Sequence, residues 1–398
     1  MSNGWPLVPM EDIFEIARGG SPRPIDSFLT DDPDGVNWVM ISDATESGKY
    51  INSTKKRIRE EGVKRSRVVH PGDFLLTNSM SFGRPYIMNT SGCIHDGWLV
   101  LSPRNQNVSP DFFYHLLGSD FVYAEFVRRA AGATVKNLNI DLVKGVQVPL
   151  PPLAEQRRIA EVLDRAEALR AKRRAGLAQL DTLTQSIFLD LFGDPHRNQK
   201  EWPRRPISGL FAAPPIFGSM IPPVTERRGW LALRVGNIQN WTLDFSDRKY
   251  VDLPTGSVER HSVKDGDLLL ARAIASEEHL GKCVVANPRD EHWAFDSHLM
   301  RLRFDRQQAE PEFIRHLFMT PGGRRLFLSA SRKSTVQFNI NTKEISALRI
   351  PVPPFSLQRE FAQHIALVEK LRMTHRVSLS ELDTLFAVLQ HGAFRGEL

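Results

Sequence analysis

The sequence predicts a mixed α/β protein with two tandem globular α/β domains and two long helices. The chain is an internal repeat, and its two long helices are expected to pair. Three observations predict this. First, short segments recur in the same order along both halves: "PGDFLLT" at 71–77 returns as "DGDLLLA" at 265–271, "GRPYIMN" at 83–89 as "GKCVVAN" at 281–287, and "SPDFFYHLL" at 109–117 as "EPEFIRHLF" at 310–318. Second, a Pro-Pro break followed by an amphipathic helix start is written twice, "PLPPLAEQRRIAEVLD" at 149–164 and "PVPPFSLQREFAQHIA" at 351–366. Third, short apolar runs punctuated by turn residues precede a long helical pattern in each copy. A period near 200 residues is too long for a solenoid unit, so whole domains are repeated.

In chain order, residues 1–150 form the first domain, 151–195 the first long helix, 196–350 the second domain and 351–398 the second long helix. Each domain opens on a Trp-Pro pair: Trp5-Pro6 followed by Ile13-Phe14, and Trp202-Pro203 followed by Leu210-Phe211. The runs "DFLLT", "WLVLS", "WLALRV" and "DLLLA" read as strands, bounded by "DPDG", "PGD" and "PGG" turns. One helical segment is expected in each copy, near 110–129 and near 311–328, and "TVKNLNI" at 134–140 loosely matches "TVQFNI" at 335–340. The Pro pairs stand just ahead of a first helical turn, where a missing N–H costs nothing. Ser356 is the expected N-cap of the second long helix, and Gly193 with Pro195 stops the first.

The long helices are expected over Leu153 to Phe192 and Phe355 to Phe394. Set in one frame, Leu163, Ala166, Leu177, Leu180 and Ile187 correspond to Ile365, Val368, Leu379, Leu382 and Leu389, a heptad seam in both. The seam is interrupted at matching places, by Arg170 and Arg173 in one helix and Arg372 and His375 in the other. Polar residues at seam positions cost stability but specify register, which favours pairing between the two helices; separate packing of each helix on its own domain is the alternative. A helix of about 38 residues spans on the order of 57 Å, so an antiparallel pair would hold two similar domains at opposite ends of a rod. Such a spacer suits two half-sites on DNA or two protein partners equally.

A chain of 398 residues, 41% hydrophobic and 25% charged, is long enough for two ordinary domain cores. It has no apolar stretch of membrane-spanning length, and "MSNGWPLVPMEDIF" lacks the basic and apolar regions of a signal peptide, so a cytoplasmic, non-membrane protein is expected. Cys93 and Cys283 have neither CxxC spacing nor metal-ligand partners and are expected as buried thiols. The formal charge is +6, and the excess lies in 196–348, with 23 basic against 17 acidic residues, a balance that suits a polyanion.

Catalytic motifs are wanting. "HLGKC" at 279–283 lacks the glycine and hydroxyl of a phosphate loop, and "VPPF" at 352–355 has Val352 where an amino-methyltransferase needs an amide or carboxylate. Asp73, Asp96, Asp267 and Asp296 lie near apolar runs without a following Lys at nuclease spacing, and turn formation explains Asp73 and Asp267. His70, His95, His261 and His298 show no ligand spacing. No metal site and no cofactor are expected in this chain.

The two Pro-Pro segments, the helix ending "SIFLDLFGDP", the following "EWPRR" and the terminal "AFRGEL" together resemble the DNA-specificity (S) subunit of Type I restriction-modification systems, over the whole chain. The resemblance implies two target-recognition domains, each reading one half of an asymmetric bipartite double-stranded DNA sequence. The two helices then form an antiparallel coiled coil, which makes the chain a pseudo-twofold internal repeat, and dock two modification (methyltransferase) subunits, with restriction subunits joining the larger complex. It implies a non-catalytic chain, with S-adenosylmethionine, ATP and magnesium bound by partner subunits. The specificity subunit of a modification-only system, a coiled-coil scaffold without DNA and an autonomous enzyme remain as alternatives.

Phosphate contacts position a protein on DNA and base contacts specify. In the first domain, "KKRIREEGVKRSR" offers Lys55, Lys56, Arg57, Lys64, Arg65 and Arg67 for backbone contact, or else forms a solvated charged hairpin. The loops "RGGSPRP" and "TNSMSFGR" offer Arg18, Ser21, Arg23, Asn78, Ser79 and Arg84, since Arg reads guanine and Asn adenine. In the second domain the candidates are Arg227, Arg228, Arg234, Asn237, Arg272 and Lys282. The resemblance adds Thr134, Lys136 and Asn137, and Lys333, Ser334 and Gln337, from the stretch before each long helix.

Overall fold

The computed structural model describes residues 5–78, 83–130, 138–274, 281–289, 291–330, 332–333 and 338–398. It is a mixed α/β structure whose two long helices run Leu153–Phe192 and Phe355–Ala393. The chain divides into two compact units, Met1–Arg174 with Val377–Leu398, and Ala175–Arg376. Each unit therefore holds one globular domain and a length of both long helices. Among the described residues, no helix is long and apolar enough to cross a membrane.

In the first unit, one antiparallel sheet orders Phe14–Arg18, Trp98–Pro103, Phe74–Thr77 and Pro85–Met88, with Tyr50–Ile51 added in parallel at the edge. A second sheet carries Val36–Val39 parallel to Gly92–Ile94. The second unit repeats both features, with Phe211–Phe217, Leu299–Phe304, Leu268–Ala271 and Cys283–Val285 antiparallel, and Trp230–Leu233 parallel to Trp293–Phe295. The apolar runs read as strands are these central strands, and they are buried. The turns ahead of them also match. Asp73 Oδ2 accepts the His70 N–H at 2.7 Å and Asp267 Oδ2 accepts the Lys264 N–H at 2.7 Å, which is the turn role read for both. Cys93 and Cys283 are free and buried, and burial pushes both thiols up.

The repeated Pro-Pro segments have a shared physical reason. Leu7–Pro9 pairs with Gln147–Pro149 and Arg204–Pro206 with Arg349–Pro351, so each domain's two ends meet just before a long helix begins. The helix then drives a buried glutamine back into its domain. Gln156 Oε1 accepts the Ser109 N–H at 2.9 Å while its Nε2 donates to the Pro151 and Asn107 carbonyls. Gln358 does the same with the Glu310 N–H at 3.1 Å and the Pro353 carbonyl at 2.9 Å. These glutamines, 202 positions apart, lock three chain segments together in each unit.

The seam residues Leu163, Ala166, Leu180, Ile365 and Val368 are buried, and Leu177, Ile187, Leu379, Leu382 and Leu389 are half-buried. Two of the four interruptions, Arg170 and Arg372, are paired. In the first unit Arg170 holds Glu167 on its own helix and Asp383 of the second helix at 2.6 Å. In the second unit Arg372 holds Glu369 and, at 2.8 Å, Asp181 of the first helix. Each residue of one triad lies 202 positions from its counterpart, so the two helices exchange equivalent contacts. Such contacts run between the helices within each unit, against separate packing of each helix on its own domain. The domains are gripped in the same crossed way: Phe112 meets Phe394 at 5.8 Å between ring centroids, and Phe313 meets Phe192 at 4.8 Å.

Three local expectations need correction. Each domain has two helices where one was expected, Pro110–Leu117 then Asp120–Ala130, and Pro311–Met319 then Pro321–Ala330. Ser119 and Thr320 break them. Each hydroxyl donates to a carbonyl three residues back, and accepts the Val122 N–H and the Gly323 N–H respectively. Ser356 is not an N-cap, because the helix already starts at Phe355 and the Pro354 carbonyl accepts the first N–H groups. The second long helix ends at Ala393, one residue short of Phe394. Gly193 does stop the first, with φ of 76° and its N–H donating to the Leu189 carbonyl at 2.8 Å.

Replacing Gln156 with Leu strands a buried N–H and buried carbonyls. Each such group costs about 1–3 kcal/mol, so Q156L and Q358L should each lower stability in urea unfolding by about 2–4 kcal/mol. An unchanged unfolding midpoint would remove the latch role.

Candidate nucleic-acid interface

The loop after Phe14–Arg18, the end of Phe74–Thr77 and the turn after Gly92–Ile94 converge in the first unit. Gly19 makes the approach possible: a Cβ there would stand 2.0 Å from the His95 carbonyl oxygen. The run of small residues in "RGGSPRP" thus reflects close packing of the chain on itself. Arg18 Nε donates to the Asp96 carbonyl at 3.0 Å, and Asn78 Nδ2 donates to the same oxygen at 2.7 Å. Ser21 Oγ donates to Asp96 Oδ1 at 2.7 Å, and Arg23 lies 3.7 Å from Oδ2. The Ser21 hydroxyl is the main reason the Asp96 carboxyl is held below the usual carboxylate range. Burial pushes His95 down, and the Gly97 N–H donates to its Nδ1 at 2.9 Å, so the neutral ring carries its proton on Nε2. Beside Asp96, a recess of about 270 Å³ is walled by Trp38, Met40 and His95.

The second unit builds the same frame with other side chains. A Cβ on Gly218 would stand 2.2 Å from the Phe295 carbonyl oxygen. Arg272 Nε donates to the Ser297 carbonyl at 2.9 Å, and its guanidinium lies 4.4 Å over the Phe217 ring. Arg272 thus occupies the place of Asn78, and Ser297 that of Asp96: the Arg272 N–H donates to the His298 carbonyl as the Asn78 N–H does to Gly97, and the Ile340 N–H donates to the Arg272 carbonyl as Leu138 does to Asn78.

Of the candidates, Arg18, Ser21, Arg23 and Asn78 are brought together around Asp96. Asn78 is buried with its amide spent on that turn, so it holds the loop and does not present a base-reading edge. Asn237 is buried too. It accepts the Arg234 N–H and donates to the Asp244 and Asp247 carbonyls, while Arg234 binds Asp247 at 2.9 Å. The pair braces a surface turn. Arg84 is exposed, 5.4 Å over the Tyr86 ring, and Lys282 is half-buried, its pKa lowered by burial. Lys55, Lys56, Lys64, Arg65 and Arg67 are exposed on and around the short elements Lys56–Ile58, Glu60–Val63 and Arg67–Val69. Lys55 pairs with Glu46 at 2.5 Å, Arg57 donates to the Pro33 carbonyl, and Arg65 lies over Phe28. Arg227 and Arg228 are exposed, Arg228 with Asp252 at 3.2 Å. Ser79, Thr134, Lys136, Asn137, Ser334 and Gln337 lie outside the described residues, and Lys333 is placed by its backbone alone, on Arg332–Lys333.

The basic excess of 196–348 is only partly a surface property. Arg303 binds the buried Asp267 at 2.7 Å, Arg301 donates to the Arg260 and Ser262 carbonyls, and Arg315 is buried against Glu312 and the Trp241 carbonyl. Asp96 was the residue that sequence reasoning set aside. Its partners lie 75 and 18 positions away, and its signal is positional: "HDGW" at 95–98 stands where the other copy has "DSHL" at 296–299. Among the described residues, no three His, Cys, Asp or Glu side chains are grouped to hold a metal.

Asp96→Ala removes the carboxylate ties to Ser21 and Arg23 and should raise amide hydrogen exchange around 21–24, while leaving the exchange of the central strands unchanged. The depressed carboxyl gives the sign of the pH effect. The tie is fully present above the ordinary carboxylate pKa and is lost as pH falls through the lower folded value. Equal exchange in both proteins across that range would remove Asp96 as the organiser.

Comparison with known proteins identifies the scaffold. Residues 2–179 match the family model described as Type I restriction modification DNA specificity domain. The chain is 22% identical over 427 residues to the Type I restriction enzyme EcoKI specificity subunit of Escherichia coli K12, covering all of this chain and 90% of that protein. It is 21% identical over 430 residues to the StySPI specificity subunit of Salmonella potsdam, with the same coverage. A chain solved in work on complex assembly and conformational transition of the type I R-M system has a TM-score of 0.62 at 20% identity, covering 100% of this chain and 99% of that one. The Type I restriction-modification S subunit of M. genitalium has a TM-score of 0.57 at 13% identity, covering 99% and 97%. At these identities the structural likeness is one of fold.

Proposed function

Because this chain belongs to the family of Type I restriction-modification specificity subunits, we propose that it binds duplex DNA at an asymmetric bipartite sequence, each unit reading one part. The observation that carries this reading is the repeated frame with exchanged side chains: Asn78, Asp96 and Arg18 in one unit, Arg272, Ser297 and Phe217 at the equivalent places in the other. A common scaffold braced by different internal groups holds loops of different sequence, and exposed groups on those loops discriminate different bases. Arg23, Arg84, Arg227 and the exposed lysines around 55–67 supply phosphate and groove contacts.

In this reading the paired helices dock modification subunits, two by the internal repeat, and restriction subunits join through them. Methyl transfer and ATP-driven translocation are carried out by those chains. S-adenosylmethionine, ATP and magnesium are bound there, and this chain contributes recognition. It acts in the cytoplasm, where the DNA and the partner subunits are.

The test is selection of bound duplexes from a random library by this chain copurified with its modification subunit, over a salt series. A two-part motif with a constant gap is expected, with affinity falling as salt rises at a logarithmic slope of about 0.9 per phosphate contact. A single contiguous motif would contradict reading by both units. Salt-insensitive, unselective binding would contradict the DNA function.

A further inference from the structure

In the second unit, a cavity of about 460 Å³ opens where both long helices meet the helix Pro311–Met319. Its wall carries four arginines, Arg315, Arg324, Arg372 and Arg376, against two carboxylates, Asp181 and Glu369. The Arg372 side chain is 7% exposed. Its two terminal nitrogens are spent on Glu369 and Asp181, and its buried Nε–H has no acceptor among the described residues. Arg315 donates to the Trp241 carbonyl at 2.8 Å, which ties the turn at Asn240 and Trp241 over the domain side of the cavity. Burial first, and then the charge of Arg315, push His316 down to about 3, so this imidazole is neutral and adds no counter-charge.

The first unit shows that the fold does not require this arrangement. At the equivalent places, Tyr114 stands for Arg315, Tyr123 for Arg324 and Phe386 for Thr184. The Phe386 ring lies 4.4 Å from the Arg170 guanidinium and covers it. In the second unit the Thr184 hydroxyl stands there, 3.5 Å from Arg372 Nη2, and Arg372 is part of the cavity wall. Both copies keep a recess here, of about 500 Å³ in the first unit, but the first lines it with Tyr114, Tyr123 and Phe386 and the second with arginines.

We propose that this cavity binds a small phosphate-bearing molecule, its phosphate held by Arg372 Nε–H with Arg324 and Arg376 and its remainder lying against Trp241 and Phe188. Forked guanidinium donors match phosphate oxygens, and the low-dielectric wall strengthens each contact. A phosphate of the DNA backbone has the same chemistry, but the recess favours a free molecule over a group on the convex surface of a duplex. The proposal stands apart from the sequence-reading function and does not rest on it.

Calorimetric titration of the full chain with pyrophosphate, with ATP and with adenosine tests it. Wild type should bind the two phosphates saturably and adenosine weakly. T184F, which places a ring over Arg372 as Phe386 lies over Arg170, should abolish binding. R376A, an exposed change that keeps the fold, should weaken it by about tenfold, the loss expected for one charge-assisted hydrogen bond. Three outcomes would overturn the proposal: no saturable pyrophosphate binding, equal binding of adenosine, or unaltered binding by both variants. Loss of duplex affinity in R376A without any free-phosphate binding would assign the site to DNA and also overturn it.

Discussion

Two arginines inside the helix pair, each answered by a carboxylate from the opposite helix, constrain everything else in this chain. Arg170 meets Asp383 and Arg372 meets Asp181, and the triads are completed by Glu167 and Glu369. A slipped register breaks both inter-helix contacts at once and leaves each arginine only the glutamate of its own helix. Apolar seam residues alone would tolerate such a slip by a heptad. The charges therefore convert a sticky helix pair into one with a defined register, and the glutamine latches at 156 and 358 transmit that register to the domains.

Each domain is consequently held by two helices that belong to different copies of the repeat. Phe394, at the end of the chain, is packed in the core of the first unit, and Phe192, at the end of the first helix, in the core of the second. The globular domains are then free to differ at their surfaces, since their anchorage depends on the latch, the strand pairs at their ends and a few phenylalanines. That is the physical setting in which one frame offers Asp96 with Asn78 and the other Ser297 with Arg272.

The repeat, the bounds of the first long helix and the seam were legible because each is written in local pattern and written twice. Periodicity also marked the arginines as exceptions, though not their partners, which lie more than 190 positions away. Ser119 and Thr320 were passed over because apolar spacing continues across them, while a hydroxyl cap needs only one residue to break a helix. The loop candidates around Asp96 were recognisable by residue type. That Asn78 and Asn237 face inward was not, because an amide in a polar loop serves a backbone carbonyl or a nucleobase with the same atoms. Charge counting overstated the basic surface for a similar reason, since Arg301, Arg303 and Arg315 are spent inside the second unit.

In the proposed function each unit reads its own part of a divided sequence from an independently built frame. The direct measurement is a duplex selection with Arg18 and Arg23 both replaced by Ala, in complex with the modification subunit, compared with wild type. Relaxed preference in one part of the motif, with the other part and the gap unchanged, is the predicted result. Relaxation of both parts, or a changed gap, would contradict it.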